Sequence, residues 1–154
     1  MEDLKCENIA RYVSKIQRKC GAFFLKELAY LGIGYGQFLF LMELYNSDGI
    51  RQEDLSEILN IDKGTTARAI KKLESEYFIV RNKDEEDKRA YRVYLTQKAL
   101  DKKKEIYDVA IKWENNLTKN LTIEEKNIML SLLKKVHIED ESKRWRNEYS
   151  RIIG

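Results

Sequence analysis

A run of basic and hydroxyl-bearing residues in the middle of the chain has the clearest potential for binding chemistry. Lys63, Thr65, Arg68, Lys71 and Lys72 lie close together, and the apolar residues between them have helical spacing. Lysine binds phosphate as a point charge, while arginine and threonine can also hydrogen-bond to the edges of DNA bases. In a chain this rich in charge the same residues also fit a solvated helix face.

A second group of cations follows: Arg81, Lys83, Lys88, Arg89 and Arg92. The surrounding residues alternate between apolar and polar, which predicts a two-stranded ribbon with strands near 78–80 and 90–95 and a polar tip at 84–86. A hairpin beside a basic helix forms a wing that can reach a neighbouring groove of DNA. The combination of basic helix and basic hairpin therefore favours DNA binding over simple solvation.

Other reactive side chains are scarce. The only histidine, His137, is followed by Glu139, Asp140 and Glu141 and lacks the imidazole or thiolate partners that transition metals prefer. No serine–histidine arrangement, phosphate-binding glycine loop or pair of catalytic carboxylates is recognisable. The sequence therefore predicts no enzyme activity, no cofactor and no metal site.

Two cysteines, Cys6 and Cys20, are too few for a disulfide scaffold. Cys20 lies in the apolar stripe of the first predicted helix, which predicts a buried, unreactive thiol, whereas Cys6 near the terminus is expected to be accessible. Thiol-based redox sensing stays open as an alternative function.

Apolar spacing predicts the helices that position these groups. The first helix spans 4–31, the second lies around 38–45 and the third around 55–59. A turn at 60–62 follows, in which Asp62 caps a fourth helix that runs to about residue 76. The residues predicted to be buried on that helix are Thr66, Ala69, Ile70 and Leu73. A short helix, a tight turn and a second helix with a basic outer face form a helix-turn-helix.

Two further helices follow the hairpin. Thr96 is placed to cap a helix over 99–117, and Thr122 with Glu125 forms a capping box that opens a last helix through 128–136 toward Trp145 and Tyr149. The predicted fold class is mainly α with a small β-hairpin wing, a winged helix-turn-helix flanked by long helices.

Length and composition fit a single domain of residues 1–154. Although 36% of the residues are charged, the net charge is only +3, so a local patch would bind any anionic partner. No apolar run reaches the ~18–20 residues of a membrane span, and the start, Met1-Glu2-Asp3, lacks the basic residues of a signal peptide. We therefore expect a cytoplasmic protein with no membrane partner.

Short motifs within 33–96 resemble the MarR family of winged-helix transcriptional regulators. The motifs are Gly34-Tyr35-Gly36-Gln37-Phe38, Gln52-Glu53-Asp54-Leu55, Asp62-Lys63-Gly64-Thr65, Leu73-Glu74, Asp87-Lys88-Arg89-Ala90 and Val93-Tyr94-Leu95-Thr96. The last two are the most specific.

The resemblance implies a homodimeric repressor that binds double-stranded DNA at a pseudo-palindromic operator. Residues 32–96 would form the DNA-binding lobe, and 1–31 with 97–154 the helical dimerisation region. Contacts of the recognition helix would fall on Lys63, Thr65 and Arg68, with Lys71 on phosphate. On the wing, Arg89 would enter the minor groove, oriented by Asp87. A plain surface ion pair between Asp87 and Arg89, and a winged-helix module for protein–protein contacts, remain alternatives.

The chain departs from the family pattern at several positions. Arg51 replaces a capping threonine, Gly64 a serine and Ala67 a threonine, while Tyr77 and Ala99 replace glycines. These departures leave the predicted fold intact and bear on the details of base contact.

A lone protomer would leave a large apolar surface uncovered, which predicts dimerisation. The residues concerned are Ile9, Val13, Ile16, Leu121, Ile128, Leu132 and Val136.

Related regulators release DNA when a small aromatic anion binds between the dimer helices and the winged lobe. The resemblance therefore implies an aromatic effector site, although the same residues would equally serve as core. Its predicted lining is Tyr12, Phe23, Tyr35, Phe38 and Trp113.

Overall fold

The structure, a computed structural model, describes residues 8–136. Within this range the helices are α1 (Ile9–Glu27), α2 (Tyr35–Asn46), α3 (Gln52–Ile58), α4 (Lys63–Ser75), α5 (Gln97–Thr118) and α6 (Ile123–Lys135), and the strands are β1 (Ile50–Arg51), β2 (Ile79–Lys83) and β3 (Tyr91–Leu95). The predicted fold class, mainly α with a winged helix-turn-helix, is confirmed.

The first helix ends earlier than its apolar spacing predicts. Asn8 caps α1 by accepting a hydrogen bond of 2.8 Å from the backbone N–H of Arg11. After α1 a separate 3-10 turn covers Ala29–Leu31, and Gly32 then reverses the chain with a φ of 72°. Leu28 and Leu31 are still buried, so one apolar stripe continues across two elements.

The helix-turn-helix consists of α3 and α4. The turn between them is fixed by the hydroxyl of Ser56, which donates to the carbonyl of Ile61 at 2.6 Å, and by Asn60 with a φ of 50°, a backbone conformation that asparagine tolerates. The predicted buried face of α4 is confirmed: it consists of Thr66, Ala69, Ile70 and Leu73.

The wing belongs to a three-stranded antiparallel sheet and not to the two-stranded ribbon predicted from the sequence. The strand order is β1-β3-β2, with Ile50 opposite Val93 and Ile79 opposite Leu95. β1 has only two residues, too few to show a strand period. The loop before it needs glycine, since Gly49 has a φ of 76° and a Cβ there would lie 2.8 Å from the ring of Tyr94.

The described residues form two compact units, one within 1–115 and the other within 116–154. The first holds the core, whose fully buried large side chains include Phe24, Phe40, Leu44, Leu73, Phe78 and Ile106. At the start of α5, Thr96 accepts a hydrogen bond of 3.3 Å from the backbone N–H of Ala99, as the predicted cap requires.

The second unit contains α6, which opens with the predicted capping box. The Thr122 hydroxyl accepts from the N–H of Glu125 at 3.2 Å, and the Glu125 carboxylate accepts from the N–H of Thr122 at 2.8 Å. The helix ends at Lys135, and Val136 has an extended backbone. The predicted continuation to Trp145 and Tyr149 lies outside the described residues, and the predicted domain boundaries remain a prediction.

Candidate nucleic-acid interface

The outer face of α4 is basic and open to solvent. Lys63, Arg68 and Lys71 are all exposed. Within residues 8–136, no carboxylate lies within ion-pair distance of the ammonium groups of Lys63 and Lys71. Lys72, by contrast, is paired with Glu76 one turn later at 2.5 Å. Lys63 and Lys71 are therefore available to an external anion.

Asp62 organises the start of α4. Its carboxylate accepts a hydrogen bond of 2.8 Å from the backbone N–H of Thr65, which confirms the predicted cap. Hydrogen bonds from the hydroxyl and backbone of Thr65 lower the pKa of Asp62, so the cap is charged at neutral pH. Because Arg68 donates to the same Thr65 hydroxyl, two of the predicted DNA contacts are joined to each other and to the cap.

The turn of the wing is built around Asp84. The backbone N–H of Asp84 donates to the carbonyl of Ala90 at 3.0 Å, and the N–H of Ala90 donates to the carbonyl of Asp87 at 2.9 Å. Residues 84–86 lie in the turn between β2 and β3, as predicted for the polar tip, but the Asp84 side chain is only 1% exposed. Hydrogen bonds from Arg51, and then from the Asp87 and Glu86 amides and Arg92, hold the pKa of Asp84 well below its usual range.

Two of the five predicted wing cations are paired with carboxylates of the same chain. Arg81 pairs with Glu74 of α4 at 2.7 Å, and Arg92 pairs with Asp84 at 2.6 Å. The other three extend from the hairpin without an ion-pair partner among residues 8–136: Lys83, Lys88 and Arg89. The basic surface of the wing is therefore concentrated near its tip.

Asp87 and Arg89 are linked through the backbone. The Asp87 carboxylate accepts a hydrogen bond of 3.0 Å from the N–H of Arg89, and the part of the chain that the structure describes contains no ion pair between the two side chains. The alternative of a plain surface salt bridge is therefore wrong. Arg89 is exposed, and together with Asp87 and residues at the start of α3 it lines a cleft of about 230 Å³.

The pair formed by Arg51 and Asp84 was not predicted from the sequence. Both Nε and Nη2 of Arg51 donate to the Asp84 carboxylate, at 2.9 and 3.1 Å. Arg51 precedes α3 and makes no side-chain cap there. An arginine in place of the family's capping threonine was the signal that this residue has another partner.

Four of the five predicted effector residues belong to one contiguous group of rings that includes Phe24, which lies 5.7 Å from Phe23. Trp113 lies 5.4 Å from Phe23, and Tyr35 and Phe38 lie 5.2 and 4.4 Å from Phe24, measured between ring centroids. Phe38 is part of the buried core, while Phe23, Tyr35 and Trp113 are half-buried against it. The fifth residue, Tyr12, is half exposed. The packing agrees with a core role for Phe38, and the other three rings are only partly buried.

Cys20 is buried, as predicted, with 7% of its surface exposed. Burial raises the pKa of the Cys20 thiol, and a hydrogen bond with Tyr35 acts in the opposite direction. The net effect favours the protonated, unreactive thiol. Cys6 lies outside the described residues.

Metal-binding clusters and membrane-spanning helices are both missing from residues 8–136. These residues contain no cluster of three or more histidine, cysteine or carboxylate side chains arranged for a metal ion, and His137 with its acidic neighbours lies beyond them. None of the helices in this range combines the length and the apolar character that crossing a membrane requires.

A recognition helix with a basic outer face, next to a basic hairpin on a small sheet, defines a winged helix-turn-helix DNA-binding protein. The model of the MarR family matches residues 33–91. The uncharacterized HTH-type transcriptional regulator YybA of Bacillus subtilis is 33% identical, over 84% of this chain and 86% of the YybA chain. The chain belongs to the MarR family, and it is a DNA-binding transcriptional regulator and not an enzyme.

Solved structures agree with this assignment. A MarR transcriptional regulator from Methanosarcina mazei is 42% identical, with a TM-score of 0.76 over 80% of this chain and 90% of that one. A mutant MarR from E. coli, solved in complex with operator DNA, is 26% identical, with a TM-score of 0.78 over 88% and 97% of the two chains. The family predicted from the sequence motifs is confirmed.

Proposed function

We propose that this regulator is a homodimeric repressor that covers a pseudo-palindromic operator with two winged lobes, each formed by residues 32–96. The observation that carries the proposal is a set of exposed cations on α4 and the wing that form no ion pair with any residue in 8–136, chiefly Lys63, Lys71, Lys88 and Arg89. Cations that the fold does not neutralise attract the phosphates of DNA.

The two elements have different tasks in this proposal. Thr65 and Arg68 lie near the start of α4, the part of a recognition helix that contacts base edges, and Lys63 and Lys71 bind phosphate. Arg89 enters the adjacent minor groove, with Asp87 fixing the backbone from which it extends.

Exposed apolar side chains support the dimer. In the first unit, Ile9 of α1 is 73% exposed, and Val13 and Ile16 are also open to solvent. In the second unit the open residues are Leu121, Ile128, Leu132 and Val136. Burial of these side chains by a second copy would remove them from water. Light scattering at micromolar protein should give the dimer mass, and a monomer mass would contradict the interface and the two-lobe operator.

Release by a small aromatic acid is the regulatory part of the proposal. The half-buried rings of Phe23, Tyr35 and Trp113 offer stacking surfaces, with a hydroxyl on Tyr35. A ligand weakens operator binding only through its different affinities for the two states of the protein, and a tenfold effect requires about 1.4 kcal/mol. A panel of aromatic acids should contain compounds that raise the melting temperature and weaken DNA binding together.

Footprinting tests the operator geometry. The DNA is a duplex that the parent protein selects from a random library. Protection of two half-sites about one helical turn, roughly 10 bp, apart is expected. A single protected half-site, or failure to select any sequence, would contradict the proposal and favour a winged-helix module for protein contacts.

A further inference from the structure

Asp84 places a carboxylate in the wing, where a negative charge repels the phosphates of DNA. Its side chain is nevertheless buried, and two arginines neutralise it. Arg51 donates to both carboxylate oxygens at 2.9 and 3.1 Å, and Nε of Arg92 donates at 2.6 Å. Both arginines are occupied by Asp84 and are not free to bind DNA. Electrostatic attraction of DNA therefore does not explain the arrangement.

One side of this network fixes the backbone of the wing turn. Oδ1 of Asp84 accepts hydrogen bonds from the N–H groups of Glu86 and Asp87 at 2.9 and 3.0 Å. The Asp87 carboxylate in turn accepts from the N–H of Arg89 at 3.0 Å. Two successive bonds from side chain to backbone therefore lead from the buried Asp84 to the exposed Arg89.

The other side of the network connects the wing to the helix-turn-helix. Arg51 immediately precedes α3, and Arg92 of β3 also donates to the carbonyl of Gly49 at 2.9 Å. Because an arginine with two donors binds a carboxylate in one fixed geometry, the Arg51–Asp84 pair restricts rotation of the wing turn against α3.

We propose that Asp84 is a positioning residue of the DNA interface, which sets the place and direction of Arg89 relative to the recognition helix. The inference rests on the proposed function, since it takes Arg89 as a DNA contact. Asp84 itself touches no DNA and acts through Asp87 and Arg51.

Two variants that each remove a negative charge distinguish a positioning role of Asp84 from a purely electrostatic one. Asp84→Asn and Glu85→Gln each remove one negative charge from the same turn, and Glu85 is exposed. Coulomb attraction alone predicts tighter DNA binding for both variants. Positioning predicts that Asp84→Asn binds the selected duplex roughly tenfold more weakly, as expected for the loss of one specific arginine contact, while Glu85→Gln binds equally well or more tightly. An asparagine offers one acceptor oxygen where the carboxylate now serves five donors.

A double-mutant cycle with Arg89→Ala then identifies the contact that is lost. If Asp84 acts through Arg89, adding Asp84→Asn to Arg89→Ala weakens binding by less than about twofold. Equal losses in both backgrounds would contradict the proposal and indicate a general structural role. If Arg89→Ala alone leaves binding unchanged, the proposed wing contact fails first; if Arg89→Ala weakens binding and Asp84→Asn behaves like Glu85→Gln, only the positioning role fails.

Arg51→Lys keeps the inference testable if Asp84→Asn does not fold. It retains the positive charge but cannot donate to both carboxylate oxygens in the same planar geometry. We expect weaker DNA binding at unchanged helicity, no additional loss when it is combined with Arg89→Ala, and faster amide hydrogen exchange at Asp87 and Arg89. Parent-like affinity together with parent-like exchange would overturn the proposal.

Discussion

Nη2 of Arg68 donates a hydrogen bond of 2.9 Å to the hydroxyl of Thr65, one turn earlier on the recognition helix. At Gly64 an added Cβ would lie only 3.2 Å from Oδ1 of the Asp62 cap, whereas its distance of 3.8 Å from Nη1 of Arg68 would be an ordinary contact. The hydrogen bond to Thr65 orients the guanidinium of Arg68 in the absence of DNA. Preorganisation of this kind lowers the entropy lost on binding.

Arg68 and Lys71 should differ in their effect on sequence preference. Arg68→Ala is expected to cost about 1–3 kcal/mol of operator binding and to relax the preference for the base it contacts. Lys71→Ala should weaken all sequences alike and reduce the salt dependence, because a phosphate contact carries no sequence information. Competition binding with single-base operator variants measures the difference. Identical base preferences in Arg68→Ala and the parent protein would contradict base contact by Arg68.

Tyr77 should be replaceable by glycine with a gain in stability. Its φ of 60° lies in the left-handed region, which strains a residue that has a Cβ. Because the side chain is 76% exposed, burial of the ring does little to offset this strain. Tyr77→Gly is expected to raise the free energy of unfolding by about 1 kcal/mol. Tyr77→Ala is the matched control, because it removes the ring but keeps the Cβ that causes the strain. Urea unfolding compares the two, and an equal gain in both variants would assign the effect to the ring.

Acid should destabilise the parent protein more than Asp84→Asn. The pKa of Asp84 is lowered in the folded state, so its charged form contributes stability that is fully present above the unfolded value of about 3.9 and is lost as pH falls through the lower folded value. Because asparagine does not titrate, the variant lacks this contribution at every pH. Urea unfolding at about pH 7 and about pH 3 should show a smaller loss for the variant. Equal losses would mean that the Asp84 pKa is unshifted.

Cys20 should be a slow thiol in the folded protein. Burial raises its pKa, so a Cys6→Ser protein is expected to react with a thiol reagent much more slowly when native than when unfolded in denaturant. Peroxide should leave its DNA affinity unchanged. Rapid native labelling, with release of DNA by peroxide that Cys20→Ser abolishes, would instead establish the redox-sensing alternative.

Features that depend on local chemistry were predictable from the sequence. The Asp62 cap, the Thr122–Glu125 capping box and the buried face of α4 each depend on residues within a few positions of one another. The wing motif Asp87–Ala90 similarly places Arg89 on an exposed turn.

Features that depend on distant pairs were not predictable. β1 forms only because Ile50 meets Val93, and Asp84 is buried only because Arg51, far earlier in the chain, reaches it. The same limitation applies to the wing cations. The sequence places Arg81 on the predicted hairpin, but only the fold shows that Glu74 lies 2.7 Å from its guanidinium. A count of charges in sequence therefore overestimates the cations that are free to bind DNA.

One measurement tests most directly whether α4 and the wing bind DNA together. It is the affinity of the parent protein and of Arg89→Ala for the selected duplex, determined at a series of salt concentrations. The account predicts specific binding by the parent that weakens linearly in log–log form as salt rises, because counterions are displaced from phosphates. Arg89→Ala should fold normally, bind more weakly and lower the slope by about one. Undetectable specific binding at low salt, or an Arg89→Ala protein with the affinity and slope of the parent, would contradict it.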